Sequence, residues 1–200
     1  LSGLDRLARS IKNHGCRAFI QIFHAGRQTY AAITGSPIVG PSPLACPMIR
    51  EVPRALSIAE IEKITGEFVS AAHFAALAGF DGVEVHAAHG YLINQFLSPH
   101  CNQRTDKYGG SLENRMRFLL DIVGGIKKSL PHLILSVRLN IDDFVPGGLQ
   151  PDESLVICRE LEKCGVDLIH CSCGTYQSGL TSIEPASYPE GWRIYLAEQV

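Results

Sequence analysis

Apolar positions along the chain alternate between a spacing of three to four residues and a spacing of two, and each switch marks a change of element. Leu4, Leu7, Ala8 and Ile11 follow helical spacing, with Gly15 placed to end that helix. AFIQIF, Ala18 to Phe23, predicts a strand. Ser57 and Glu60 have capping-box spacing, and Ile61, Ile64, Phe68, Ala71, Ala72 and Ala75 form an apolar stripe that stops at Gly79. Val83 and Val85 then alternate with Glu84 and His86, a period of two that predicts a strand over Gly82 to His86. Ser111 is placed to cap a further helix, in which Leu112, Met116, Leu119, Leu120, Val123 and Ile126 share the apolar side; Pro131 breaks the chain before a strand at Leu133 to Leu139. Pro151, followed by Asp152 and Glu153, starts a helix that runs to Cys164. A strand at Asp167 to Cys171 follows, and the last segment, Glu190 to Val200, reads as a helix.

Strands and helices therefore alternate, which implies an α/β fold with parallel strands joined by right-handed crossovers. The one long interruption, Ala25 to Ser57, carries prolines at 37, 41, 43, 47 and 53. Connections of that length usually carry a function, such as a lid or substrate-covering loop. Two architectures compete. A dinucleotide-binding open sheet would show GxGxxG directly after a strand, and no strand here is followed by one. A (β/α)8 barrel predicts functional side chains at the carboxyl ends of several strands. Gln21 in AFIQIF, His86 in GVEVH, Arg138 in LSVRLN, and His170 and Ser172 in DLIHCS fit that pattern. Four strands cannot close an eight-stranded barrel, so the reading is a partial barrel within a longer polypeptide; Leu1 in place of an initiating Met, and a last helix without a C-terminal cap, point the same way.

Composition narrows the function classes. The 200 residues are 46% apolar, enough for one substantial core, and 18 basic residues against 20 acidic ones leave no basic stripe for nucleic acid. Apolar runs are too short to span a membrane, and the start does not resemble a signal peptide. Seven cysteines without CxxC spacing read as small apolar residues of a protein kept in the reducing cytoplasm.

The candidate chemistry lies in DGVEVHAAHGYLINQFLSPHCNQRTDKYGGSLENRMRF, residues 81–118. His86, His89 and Tyr91 fall within six residues at the end of a strand, with Gly90 relaxing the backbone between them. Two imidazoles and a phenol can donate hydrogen bonds to one substrate oxygen and pass a proton to a neighbouring atom. Each could also be a satisfied structural donor. Zinc fits His86 and His89 poorly, without an HExxH pattern or further ligands at suitable spacing. His24, Arg27 and Tyr30 on the long loop are weaker candidates. Arg104, Asp106, Glu113, Asn114 and Arg115 read as locally paired scaffolding, with Gly109 and Gly110 permitting a tight turn.

QIFHAGRQ at 21–28, HAAHGYLINQFLSPHCNQRTDKYGGSLENR at 86–115 and SVRLN at 136–140 resemble the Old Yellow Enzyme family of FMN-dependent oxidoreductases, over nearly the whole chain. The resemblance implies a (β/α)8 barrel, of which residues 1–200 would hold about the third to the sixth strands as one fragment of an FMN-binding domain. It implies that Gln21 hydrogen-bonds the pyrimidine edge of the flavin and that Arg138 lies beside its N1 and O2 side. It also implies that His86 and His89 hold the carbonyl or nitro oxygen of the substrate and that Tyr91 supplies a proton at the α-carbon. The activity implied is ene reduction, with NAD(P)H as co-substrate and an activated alkene as substrate. EPASYPEGWRIYLAEQV at 184–200 looks closest to the branch of 2-enoate and 2,4-dienoyl-CoA reductases, which adds a [4Fe–4S] site and an FAD domain downstream; a cluster would need cysteines beyond Val200.

Two other classes stay open on sequence. One is a non-catalytic barrel remnant acting as a binding module. The other is a metal-dependent barrel hydrolase using His86, His89 and His170. The partners expected on the main reading are a small molecule and, in the full-length polypeptide, further copies of the same chain.

Overall fold

The computed structural model describes residues 1–200. In chain order the elements are α1 (Ser2–Lys12), β1 (Phe19–Ile22), α2 (Ala31–Thr34), β2 (Val39–Gly40), β3 (Arg54–Ala55), α3 (Ile58–Leu77), β4 (Gly82–Ala87), α4 (Leu92–Leu97) and α5 (Leu112–Ser129). They continue with β5 (Ile134–Asp142), α6 (Pro151–Lys163), β6 (Leu168–Cys173), a 3-10 segment (Tyr176–Ser182) and α7 (Ile194–Ala197). The main sheet is parallel throughout, in the order β1-β4-β5-β6.

Alternation along each strand sorts side chains to two faces. Val83, Val85, Ala87, Leu135, Val137, Leu139 and Ile141 are fully buried toward the helices. Phe118 of α5 lies 6.4 Å from Phe68 of α3 and 4.8 Å from Phe96 of α4, ring centre to ring centre, so one aromatic group joins three helices. Burying a side chain of that size contributes about 1.5–3 kcal/mol. Gly82 is fixed by sheet packing: a Cβ there would lie 2.4 Å from the Phe19 ring and 2.6 Å from the Ile134 carbonyl oxygen.

The capping box at α3 forms as its spacing predicts. Ser57 Oγ accepts from the Glu60 N–H, and Glu60 Oε2 accepts from the Ser57 N–H at 2.8 Å. Arg54 grips the same carboxylate and, with the Ser57 contacts, holds its pKa down to about 2.

Three expectations change. The last helix shortens to Ile194–Ala197, because turns around Pro189 and a left-handed Gly191 (φ 68°) occupy the residues before it. Helix α1 forms, but Leu4 and Leu7 face outward and only Ala8 is buried. The long connection is a packed structure carrying α2 and the β2/β3 pair. Arg104 donates to the carbonyls of Pro41 and Leu56, and buried Arg27 donates to that of Leu44, which ties the segment to the body of the fold.

Candidate active site

The second face of the sheet is polar. Cross-strand register sets Gln21 beside Glu84, Glu84 beside Ser136, and, one step toward the carboxyl ends, His86 beside Arg138 and Arg138 beside His170. Asn140 and Ser172 pair in the next step. Glu84 is the hub of the lower level: it accepts from Gln21 Nε2 at 2.6 Å and Ser136 Oγ at 2.9 Å, and pairs with His170 Nδ1 at 3.1 Å. Burial acts to raise its pKa, but these three contacts outweigh burial and the net direction is down. Local pattern assigns Glu84 no role, although its phase with His86 places it on the same face. With Phe19 and Leu168, Gln21, Glu84 and Ser136 line a cleft of about 200 Å³.

His86, His89 and Tyr91 meet where β4 ends. The His86 ring lies 5.2 Å from that of His89 and 5.0 Å from that of Tyr91, edge-on in both cases. Phe23 closes one side, 5.2 Å from Tyr91. His86 Nδ1 accepts from the Ala88 N–H at 3.2 Å, so a neutral His86 carries its proton on Nε2. Burial, then the nearby Arg138, lowers the pKa of His86 to about 4 and that of His89 to about 3. Both rings are therefore neutral near pH 7. Burial and the Tyr176 hydroxyl, 3.1 Å away, push Tyr91 up to about 12, which keeps its proton on the oxygen.

The loop that presents these groups is over-determined. His89 sits at φ 59°, a left-handed conformation uncommon outside glycine, and Gly90 follows at φ 78°. The His89 N–H donates to Asn140 Oδ1, and the His89 carbonyl accepts from Gln28 Nε2 at 2.9 Å. The Gly90 N–H donates to Asn94 Oδ1 at 2.7 Å; Asn94 and Asn140 both donate to the buried carboxylate of Asp143. A side chain at Gly90 would strike Gln28 Oε1 at 2.4 Å. Sequence pattern does not single out Gln28, Asn94, Asn140, Asp143 or Tyr176, since each makes a bond to the site network that spans 49 or more positions.

The shifted histidines make stability depend on pH. The unfolded chain takes up protons on both imidazoles below the ordinary value of about 6.5, whereas the folded chain resists until about 4 and about 3. Their stabilising contribution is thus complete above about pH 6.5 and declines as pH falls toward 3. Denaturant midpoints measured from pH 7 to 4 should fall more steeply for the wild type than for a His86→Asn/His89→Asn variant; parallel curves would refute the buried neutral state.

Other candidates have structural partners. His24 Nδ1 accepts from the Gly26 N–H, and Arg27 reaches Gln177 Oε1 at 2.7 Å and Cys101 Sγ at 3.0 Å. Tyr30 is exposed. Arg104 pairs locally with Asp106, but Arg115 is not local: it spans from α5 to Glu153 of α6. All seven cysteines are free; Cys16 is exposed, contrary to its expected place in the core. No three His, Cys, Asp or Glu side chains converge at metal-ligand spacing, so His86, His89 and His170 do not make the set a hydrolase centre needs.

Four parallel βα units with polar groups toward the strands' carboxyl ends supply half of the strands of a (β/α)8 barrel, a scaffold whose sites lie at that end. Residues 1–195 match the model of the NADH:flavin oxidoreductase / NADH oxidase family, and the chain belongs to that family. An NADH oxidase of Thermoanaerobacter brockii is 47% identical over 202 residues, covering 100% of this chain and 31% of that protein. The chain thus spans about a third of that relative's length. A 2-naphthoyl-CoA reductase, solved with 2-naphthoyl-CoA, superposes with a TM-score of 0.91 at 36% identity, over 98% of this chain and 32% of that one. The old yellow enzyme homologue from Zymomonas mobilis gives a TM-score of 0.77 at 28% identity, over 86% of this chain and 52% of that one. FMN is the cofactor of this class of oxidoreductase and NAD(P)H its reductant.

The residues present fit such a cofactor. Arg138 Nε is sealed from solvent with no hydrogen-bond partner, and Nη2 reaches only Ser172 Oγ, at 3.4 Å. A guanidinium with free donors beside an open polar face suits an electron-rich ring edge. Gln21 commits one amide hydrogen to Glu84, which leaves its oxygen free to accept.

Proposed function

We propose that residues 1–200 form the central part of one FMN-binding (β/α)8 domain, and that the polypeptide reduces the activated C=C bond of an enone, enoate or enoyl thioester with NAD(P)H. The observation that carries this reading is the convergence of His86, His89, Tyr91 and the under-bonded Arg138 on one face. The likeness to a reductase solved with a CoA thioester favours the thioester among these substrates and the branch of large dienoyl-CoA-type reductases. When bound, FMN supplies the hydride relay, from reduced nicotinamide to the β-carbon of the alkene.

Arg138 would hold the N1 and O2 side of the ring system and Gln21 its pyrimidine edge. The neutral imidazoles of His86 and His89 donate to the substrate carbonyl oxygen, which draws electron density from the β-carbon and stabilises the oxyanion as it develops. Burial keeps the imidazoles neutral, and Arg138 nearby adds to that effect while favouring the same negative charge. The protonated Tyr91 hydroxyl delivers its proton to the α-carbon, and the Tyr176 hydroxyl beside it orients that group. Phe23 packs against the rings of His86 and Tyr91.

Replacing Tyr91 with Phe should slow alkene reduction by about 10²-fold while flavin reduction by nicotinamide keeps its rate. Stopped-flow measurement of the two half-reactions separates them. Equal slowing of both would remove Tyr91 from the proton-donor role, and a full-length protein that neither carries nor takes up FMN would end the flavoenzyme reading.

A further inference from the structure

We propose that Ser172 is a positioning residue that fixes His89 as its Nδ1–H tautomer, so that His89 offers Nδ1, and His86 offers Nε2, to the same substrate oxygen. This rests on the functional reading above and adds to it the donor atoms and the group that selects one of them.

Ser172 Oγ lies 2.6 Å from His89 Nε2, with Ser172 2% and His89 9% exposed. A neutral imidazole has one donor and one acceptor nitrogen, and a hydroxyl has one proton to give. Ser172 Oγ has two partners in the structure: His89 Nε2, and Arg138 Nη2 at 3.4 Å. A guanidinium can only donate. The Ser172 hydroxyl proton therefore has one acceptor, His89 Nε2. With the imidazole proton on Nε2 instead, two donors, His89 Nε2 and Arg138 Nη2, would face the one serine oxygen and the serine proton would be buried without a partner, an arrangement that costs the full desolvation of that group.

Hydrogen bonding thus runs in one direction, from Arg138 to Ser172 to His89 Nε2. His89 Nδ1 makes no bond within the chain and is not sealed from solvent. His86 has the opposite arrangement, since the Ala88 N–H occupies Nδ1 and leaves Nε2–H free. The two rings, 5.2 Å apart and edge-on, present unlike nitrogens. The left-handed backbone at His89 gives its ring a different approach from that of His86 on the extended strand.

The test uses the full-length, flavin-loaded protein and 4-cyanophenol, an acidic phenol whose anion resembles an enolate. Ser172→Ala should bind it roughly tenfold more weakly, with flavin content retained, and Ser172→Thr, which keeps the hydroxyl, should restore affinity. Side-chain ¹⁵N spectra of the wild type should place the His89 proton on Nδ1 and the His86 proton on Nε2. Wild-type affinity in Ser172→Ala overturns the positioning role, and a His89 proton on Nε2 overturns the tautomer even where the variant does not fold. Wild-type protein lacking both flavin and phenol binding overturns the functional reading instead, while the spectra still decide the tautomer.

Discussion

Replacing His86 and His89 together with alanine should slow oxidation of the reduced enzyme by an enone by at least about 10³-fold, since one oxyanion donor is commonly worth about 10²–10³ in rate. The effect is expected to be large because both rings are held neutral, with one N–H each aimed away from the chain. Water entering the emptied site cannot replace them, because it reorganises as charge develops whereas donors fixed by Ala88 and Ser172 do not. Stopped-flow traces at saturating enone give the rate. Flavin reduction by NADH should change little, and a similar loss in that half-reaction would mean the pair serves the cofactor rather than the substrate.

The second large effect is on stability. Arg115→Ala should cost about 3 kcal/mol, because removing one member of a buried ion pair leaves its partners uncompensated. Arg115 is buried in α5, where it donates to the Leu97 carbonyl at the end of α4, to the Gly110 carbonyl at 3.2 Å and to Glu153 in the first turn of α6. One guanidinium thus joins the end of α4 and the turn before α5 to the first turn of α6. Glu153 retains partial solvent access, which moderates the cost. A guanidinium titration of full-length protein should show a lower midpoint, and Arg115→Lys should recover little of it because a single ammonium cannot reach all three acceptors. An unchanged midpoint in Arg115→Ala would show that α4, α5 and α6 are held together by other contacts.

Much of this arrangement can be read from local pattern. The two-residue alternation of Val83 and Val85 against Glu84 and His86 defines a strand with one apolar and one polar face, and the structure packs the apolar face fully while Glu84 stays half-buried and His86 is buried at the site. The Ser57 and Glu60 pair marks the start of α3 to the residue, because the capping box is closed by atoms three positions apart. Local signals fail where a partner is remote. Arg115 looked like part of a charged turn, yet its carboxylate partner is 38 positions away. Leu4 and Leu7 have helical spacing in a helix that forms, but spacing carries no information about what, if anything, covers that face. Apolar spacing near Tyr195 predicts a longer last helix than forms, because spacing does not register the turns that precede it.

The sequence by itself therefore determined the order of elements, the α/β class, the family, and the candidates Gln21, His86, His89, Tyr91 and Arg138, because periodicity, capping and an extended motif are properties of neighbours along the chain. The tertiary structure decided which nitrogen of each histidine is free, how Glu84 gathers Gln21, Ser136 and His170, and how Asn140, Asn94 and Asp143 hold a left-handed His89. Apart from the local contacts of His86 with Ala88 and of Asn140 with Asp143, those features depend on hydrogen bonds between residues 49 to 86 positions apart. Tautomer and charge state follow from such contacts and from burial, and neither is set until the sheet has formed.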